Sequence, residues 1–541
     1  CPNAAYRRVH PSGVLYHVMT ELNQGALRVL TFARNGVRSH PATALAIAGF
    51  IAASVVVVAG GRIGTVKATI PLTNWLGLLS AQGRGSGDYL PGTLMLGAII
   101  ALIGLWIIAV RLFRSGERAE RRVWWIAGAW SIPFVVGPPM LSNDVWTYAA
   151  QGLMQRNGLD PYSVGPSALG NVHVVAAVDP AWRSLPSPYG PLATTVQHLA
   201  IAISGGSPLG AAIVFRALGV VCFIAIGLLA ADLAGRRRIQ ALTLTILNPL
   251  LLLHVVSGAH LEGIMCALLL GALVAANQGR WLLAVVVACA AGSVKAPAFI
   301  AVLAIIAMHG EGYRGWAAWR IMARDIALAA VSILGMTVIV RNGWGWLQAL
   351  NTPTLGHTPL APASLVADLF DPVVRAASFD DLAAGGRITT MLAAVCIVIY
   401  LTVTARRRPM PRTVGYGLLA VALLGPVVYP WYLLWAVVCL APTARAAHRD
   451  WIVLISAFAC VLNPPGFTST ISTELSIAAL VLVGVILALQ HRARSRAGTA
   501  AEALSGADPA TVGPDATVEP DPPPAPRVAP TPEAPRVSVG G

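Results

Sequence analysis

Charge is scarce in this 541-residue chain: only 11% of its residues are Asp, Glu, Lys or Arg, against about 25% in soluble globular proteins. With 56% hydrophobic residues and a mean hydropathy of +0.69, that scarcity excludes a water-soluble fold. No Walker A, kinase or dinucleotide fingerprint occurs in a fitting context, so the chain has no recognisable means of using ATP or a dinucleotide. The seven cysteines include no CxxC spacing, and Cys222, Cys266, Cys289, Cys396, Cys439 and Cys460 all fall inside apolar segments. Neither a disulfide framework nor a zinc site is indicated. Period-2 alternation of the barrel kind is also missing, so backbone groups in lipid have to be satisfied within helices.

What is present is a series of apolar blocks, and about 20 apolar residues cross a bilayer as a helix. Candidate spans fall at 44–60, 93–112, 122–139, 208–234, 239–256, 260–276, 281–293, 297–309, 325–340, 388–404, 413–427, 431–443, 451–463 and 475–490. The expected fold is an all-α polytopic membrane protein of about 12–14 transmembrane helices, occupying residues 44–496. Residues 1–43 read as a cytoplasmic N-terminal segment, in which Cys1, close to Arg7 and Arg8, is an arbitrary start and no lipid anchor. Residues 497–541, dense in proline and without apolar periodicity, read as a disordered cytoplasmic tail.

The formal net charge of +15 raises nucleic-acid binding, but the placement of the basic residues argues for the lipid bilayer as partner. Alternate joints are basic, among them RLFRSGERAERR (111–122), GRRR (235–238), ARRRPMPR (405–412) and HRARSR (491–496). These mark the cytoplasmic side under the positive-inside rule, with both termini cytoplasmic. The intervening joints, notably 140–207 and 341–387, are poor in Lys and Arg and rich in Asp, His, Trp, Tyr, Pro and Gly. They are expected to be long extracytoplasmic loops.

The external joints hold the residues that could carry chemistry. In SNDVWTYAAQG, Asp144 stands directly after a hydrophobic span, with Ser142 or Asn143 as a helix cap and an apolar stripe of Val145, Tyr148, Ala149 and Leu153 suited to the interface. Two roles fit Asp144: a carboxylate held at the lipid boundary, or a cap stabilised by the helix N-terminus. Ionisable residues within spans are site hypotheses by default, which brings in Glu262, Lys295 and Arg216; a structural Glu262–Lys295 ion pair is the alternative. Lys295 or Arg216 suits a phosphate. Trp182, Tyr189, Trp344, Trp346 and Trp431 either stack on sugar rings or form an aromatic belt. His254 and His260 lack an evident third ligand, so a metal site finds little support.

Six ordered segments carry a resemblance: SNDVWTYAAQG with GLDPYSVGP (142–166), SPYGPL (187–192), LNPLLLLHVVSGAHLE (247–262), VKAP (294–297), GWGWLQALNTPT (343–354) and PVVYPWYLLW (426–435). The chain resembles the polyprenol-phosphate-mannose-dependent α-1,6-mannosyltransferases of actinobacterial lipomannan and lipoarabinomannan synthesis, in the multi-spanning GT-C class. The resemblance implies transfer of mannose from polyprenyl phosphomannose to a growing α-1,6-mannan or phosphatidylinositol mannoside acceptor, outside the plasma membrane. It implies inversion of configuration, no cofactor and no obligatory metal. It makes Asp144 the general base and Lys295 or Arg216 the donor-phosphate ligand. His260, Glu262, Tyr189, Trp182, Trp431, Tyr432 and Trp344 become substrate contacts. One departure stands out: the family often has His-Asn-Glu where this chain reads His260-Leu261-Glu262. The rival from another class is a flippase or transporter of lipid-linked sugars, for which paired internal repeats are expected; no clear duplication is visible. A GT-C enzyme for another sugar or acceptor is the second alternative.

Overall fold

The computed structural model describes residues 40–63, 75, 89–113, 117–339, 343–351, 361–362 and 379–462, with scattered positions between 471 and 485. The N-terminal segment up to residue 39, most of the 341–387 joint, half of the expected 475–490 span and the proline-rich tail lie outside the described residues. Residues up to Val483 form one compact unit, and the second unit, Gly484–Gly541, lies almost wholly outside them.

Among the described residues the regular structure is entirely helical. Helices α1 (Pro41–Gly60) and α2 (Leu90–Leu112) each start with proline in the first turn, where its missing N–H has no helical partner to lose. Together with α3 (Glu117–Val136) they form a packed group. Gly49 lies against the Trp130 ring, where a Cβ would collide, and the Trp130 indole donates to the Leu45 carbonyl at 2.9 Å. The prolines at 138 and 139 stop α3 and lead into α4 (Asp144–Arg156). Then come α5 (Pro191–Ile203) and α6 (Pro208–Ala234), which runs through one tight turn into α7 (Arg238–Thr245).

After α7 the chain breaks. Buried Asn248 accepts from the Leu250 N–H at 3.0 Å and donates to Leu244 O and Ser456 Oγ. A short turn (Pro249–Leu251) passes into a π-helical segment, Leu252–Ser257, before α8 (Glu262–Asn277) departs at 118°. The remaining helices are α9 (Trp281–Val294), α10 (Phe299–Gly310), α11 (Trp316–Ile339), α12 (Phe379–Val403), α13 (Met410–Leu424), α14 (Tyr432–Leu440) and α15 (Ala446–Val461).

The all-α polytopic architecture is as expected. By length and composition alone, five helices among the described residues are long and apolar enough to cross a bilayer, or six if the bent pair counts as one span. Several of the other apolar blocks form shorter or interrupted helices. Helices α9 and α10, of 14 and 12 residues, reach about 21 and 18 Å at 1.5 Å per residue, short of a hydrocarbon core about 30 Å thick. Helix α3 carries Glu117, Arg118, Glu120, Arg121 and Arg122 in its first six residues. The block 239–256 is a helix end followed by a broken turn. Large apolar side chains such as Ile51, Val55, Ile326, Val331, Val338 and Ile399 are exposed on the outer helices, the surface a lipid environment covers.

Candidate active site

Four interruptions of the helical pattern line one cavity of about 260 Å³: the joint between α3 and α4, the π-helical segment, the residue that ends α9, and the turn before α14. Irregular backbone at membrane depth is tolerated where it lines such a cavity. The joint 140–207 is therefore not an open loop. Its helices α4 and α5 pack on each other and on α6, and α4 is buried on nearly every side, Val145 through Gly152 included. The expected interfacial stripe is a buried helix instead, because α5 and α6 cover the face that would have met lipid.

Asp144 is the first residue of α4, its own N–H capped by Ser142 Oγ at 3.1 Å. Its Oδ2 receives the Tyr148 hydroxyl at 3.3 Å and the Tyr189 hydroxyl at 3.5 Å, and lies 3.4 Å from His260 Nδ1. Tyr148 is four residues along the same helix, hence on the same face. Burial pushes the Asp144 carboxyl up, but the His260 contact and charge, the Ser142 hydroxyl and the Lys295 charge outweigh it and hold the group below its ordinary 3.8. Burial, followed by neighbouring negative charge, pushes the Tyr148 and Tyr189 hydroxyls well above 10, so both remain donors.

Lys295 enters where α9 ends in extended backbone. Its ammonium donates to Glu262 Oε1 and lies over the rings of Tyr432 at 4.4 Å and Tyr189 at 5.0 Å, positions where the ring face attracts a cation. The neighbouring chain is drawn in by Gly190, whose N–H donates to Val294 O at 3.1 Å and whose missing Cβ avoids the Ser293 carbonyl. On the far side Tyr429 stacks on Trp431 at 4.7 Å, and Trp431 covers His260 at 4.3 Å. His260 Nδ1 also lies 3.8 Å from Glu262 Oε2, so one imidazole stands between two carboxylates.

Asp144, Trp182, Tyr189, Lys295, Trp431 and Tyr432 thus line one cavity, with His260 and Glu262 directly behind. Arg216 is a correction. Its guanidinium is buried and donates to the carbonyls of Phe134, Val135, Gly137 and Ser257, away from the cavity wall. Trp344 is also not in the lining; it is 52% exposed at the start of a short helix. Trp346 is buried among Tyr162 and Phe299. Tyr148 was not singled out for the site from sequence, although its hydroxyl four residues after Asp144 was a usable signal. His254, lining the cavity, lies edge to face with His260 at 5.5 Å; among the described residues no third group joins them as a metal-binding set.

Residues 46–311 match the family model described as Alpha-(1->6)-mannopyranosyltransferase, N-terminal domain, and residues 377–492 match the MptB C-terminal domain. A probable alpha-(1->6)-mannopyranosyltransferase of Mycolicibacterium smegmatis is 30% identical over 67% of this chain and 73% of its own length. The chain belongs to the alpha-(1->6)-mannopyranosyltransferase family. Family member A of Mycobacterium tuberculosis is 27% identical over 75% of this chain and 83% of its own, and member B of Corynebacterium glutamicum 26% over 72% and 73%. Every cavity residue up to Lys295 falls within the first matched segment, and Tyr429, Trp431 and Tyr432 within the second.

Removing one partner of a buried ion pair leaves the other charge uncompensated. Lys295→Met is expected to destabilise the protein by about 3–5 kcal/mol, read by thermal unfolding in detergent, and adding Glu262→Gln is expected to restore most of the loss. A double variant no more stable than the single one would show that the two groups are not energetically coupled.

Proposed function

We propose that this chain is an inverting mannosyltransferase that moves mannose from polyprenyl phosphomannose to the 6-hydroxyl of an α-1,6-mannan, at the extracytoplasmic face of the plasma membrane. Family membership supports mannosyl transfer, and the observation that carries the mechanism is a carboxylate, Asp144, at the wall of a cavity that also holds the Lys295 ammonium and stacked aromatic rings. The sidedness rests on the basic joints, which lie at the opposite ends of the spans from Asp144.

In the reaction, the acceptor oxygen forms its bond to the anomeric carbon as the bond from that carbon to the phosphate oxygen breaks. The proton of the acceptor hydroxyl passes to Asp144, and the electron pair leaves with polyprenyl phosphate. A single displacement on a β-linked donor gives an α-linked product. Negative charge grows on the departing phosphate, where the Lys295 ammonium counts most. Tyr148 and Tyr189 hold the base by donating to Oδ2, leaving Oδ1 for the acceptor. Trp182 offers a face for a sugar ring, Trp431 and Tyr432 add apolar contact at the cavity wall, and His260 and Glu262 support the wall from behind.

Two measurements test this. With polyprenyl phosphomannose and a short α-1,6-mannoside, wild type is expected to give an α-1,6 product, and a folded Asp144→Asn variant to lose at least about 100-fold in kcat, the lower range for a general base. Retention of most of the rate removes Asp144 from the chemistry, and an inactive wild type removes the donor. The second is the pH profile. Because the folded-state pKa of Asp144 is depressed below 3.8, the active ionised form persists above that value and kcat/KM falls only as pH drops through the depressed value. Removing a contact that lowers the pKa moves that limb upward, so His260→Gln is expected to lose activity at a higher pH than wild type. An unmoved limb would separate His260 from the base.

A further inference from the structure

Arg216 is the residue whose place in the fold the transfer reaction leaves unexplained. It lies about two turns into α6, part of the 38-residue span Pro208–Thr245, where a charge without partners is strongly disfavoured. Its partners are backbone carbonyls from two separate breaks. Nη1 donates to Phe134 O, to Val135 O at 3.2 Å and to Gly137 O at 3.1 Å, carbonyls at the end of α3 that no further helical turn satisfies. Nη2 donates to Ser257 O at 2.8 Å, where the π-helical segment ends.

Each break leads directly to a group of the site. Seven residues beyond Gly137 stands Asp144, reached through Leu141 in the left-handed region at φ 71°. Three residues beyond Ser257 stands His260, reached through Ala259 at φ 52°. Neighbours of Arg216 on α6 touch α4, which Asp144 begins, and the π-helical segment. Phe215 meets the Tyr148 ring edge to face at 5.6 Å, and Gly219 lets α6 approach the Val255 carbonyl so closely that a Cβ would collide with it.

We propose that Arg216 is a positioning residue: its guanidinium pins the end of α3 to the end of the π-helical segment and thereby sets the contact between Asp144 and His260, 3.4 Å apart. A planar guanidinium with five donors can bridge two carbonyl clusters at once, and an ammonium cannot hold the same fork. The proposal rests on Asp144 being the base of the transfer reaction.

Purified wild type, Arg216→Lys, Arg216→Met and Gly219→Ala in lipid nanodiscs are compared with polyprenyl phosphomannose and an α-1,6-mannoside. Arg216→Met is expected to lower kcat about 100-fold, the scale on which a displaced catalytic group costs rate, with the donor KM within about twofold of wild type. Its acid limb is expected to move upward, and Arg216→Lys to recover only part of the loss. Gly219→Ala, which pushes the π-helical segment while leaving the guanidinium in place, is expected to lower kcat in the same direction. A raised donor KM at unchanged kcat would make Arg216 a phosphate ligand, and an unchanged kcat and acid limb in folded but less stable protein would make it only a structural tie; either overturns the proposal. An inactive wild type would instead count against the donor assignment. An experimental structure of Arg216→Met decides the inference in that case too, since an Asp144–His260 contact kept at its wild-type distance overturns it.

Discussion

Four ionisable side chains, Asp144, His260, Glu262 and Lys295, occupy the inside of an apolar helical bundle, and the rest of the fold is organised around making that tolerable. Each charge taken out of water needs a partner of opposite sign or a set of oriented dipoles. The chain meets the demand by alternation: Asp144 faces His260, His260 faces Glu262, and Glu262 faces Lys295. Aromatic rings close the ends, Tyr432 and Tyr189 around the ammonium and Trp431 over the imidazole. Asp144, with its side chain 19% exposed, is the carboxylate of the set that reaches open space, while Glu262 is fully enclosed. Two carboxylates within one cluster thus have different tasks fixed by surroundings: one is consumed by a cation and the other is left available.

In this chain the cluster is assembled at breaks in the helices and not along their unbroken faces. Asn248 ends one helix by satisfying its last carbonyls and starting the next turn, the π-helical segment changes the phase of the side chains, and the 118° bend at Gly258–Leu261 turns His260 and Glu262 toward Asp144. Lys295 follows the same logic at the end of α9, where extended backbone ends the helix before its side chain is committed to a helical face. Some apolar blocks form helices shorter than a bilayer crossing for the same reason: Lys295 and Tyr432 of the cavity stand at the ends of two of them.

Much of the site was legible in residue types. A carboxylate just past a hydrophobic span, a glutamate and a lysine inside spans, and a Tyr-Pro-Trp-Tyr run each break the expected composition of a bilayer segment, and Asp144, Glu262, Lys295, Trp431 and Tyr432 do meet around one cavity. The Glu262–Lys295 pairing was open from sequence, because a buried charge shows that it has a partner without naming it. The bend could be suspected from Asn248, Pro249 and Gly258, but a π-helical phase change depends on which carbonyl each N–H finds, and no residue pattern dictates that. Trp344 and Trp431 look alike in sequence, each in an aromatic-rich external segment; only packing separates an exposed ring from one that covers an imidazole.

Arg216 shows most sharply where a sequence stops being informative. A guanidinium inside a span announces an unmet need, and phosphate, carboxylate and backbone carbonyl are all chemically competent to meet it. Carbonyls are carried by every residue and therefore leave no trace in composition or spacing. What selects them here is that α3 and the π-helical segment both end beside α6 with carbonyls unpaired by helix, so that the Nη donors of one guanidinium meet both sets at a single point. The same stops that create those free carbonyls also create the turns leading to Asp144 and His260. Satisfying the backbone and aligning the polar cluster are therefore one geometric event, and a charge that looks like a ligand for substrate serves first as a ligand for the protein's own chain.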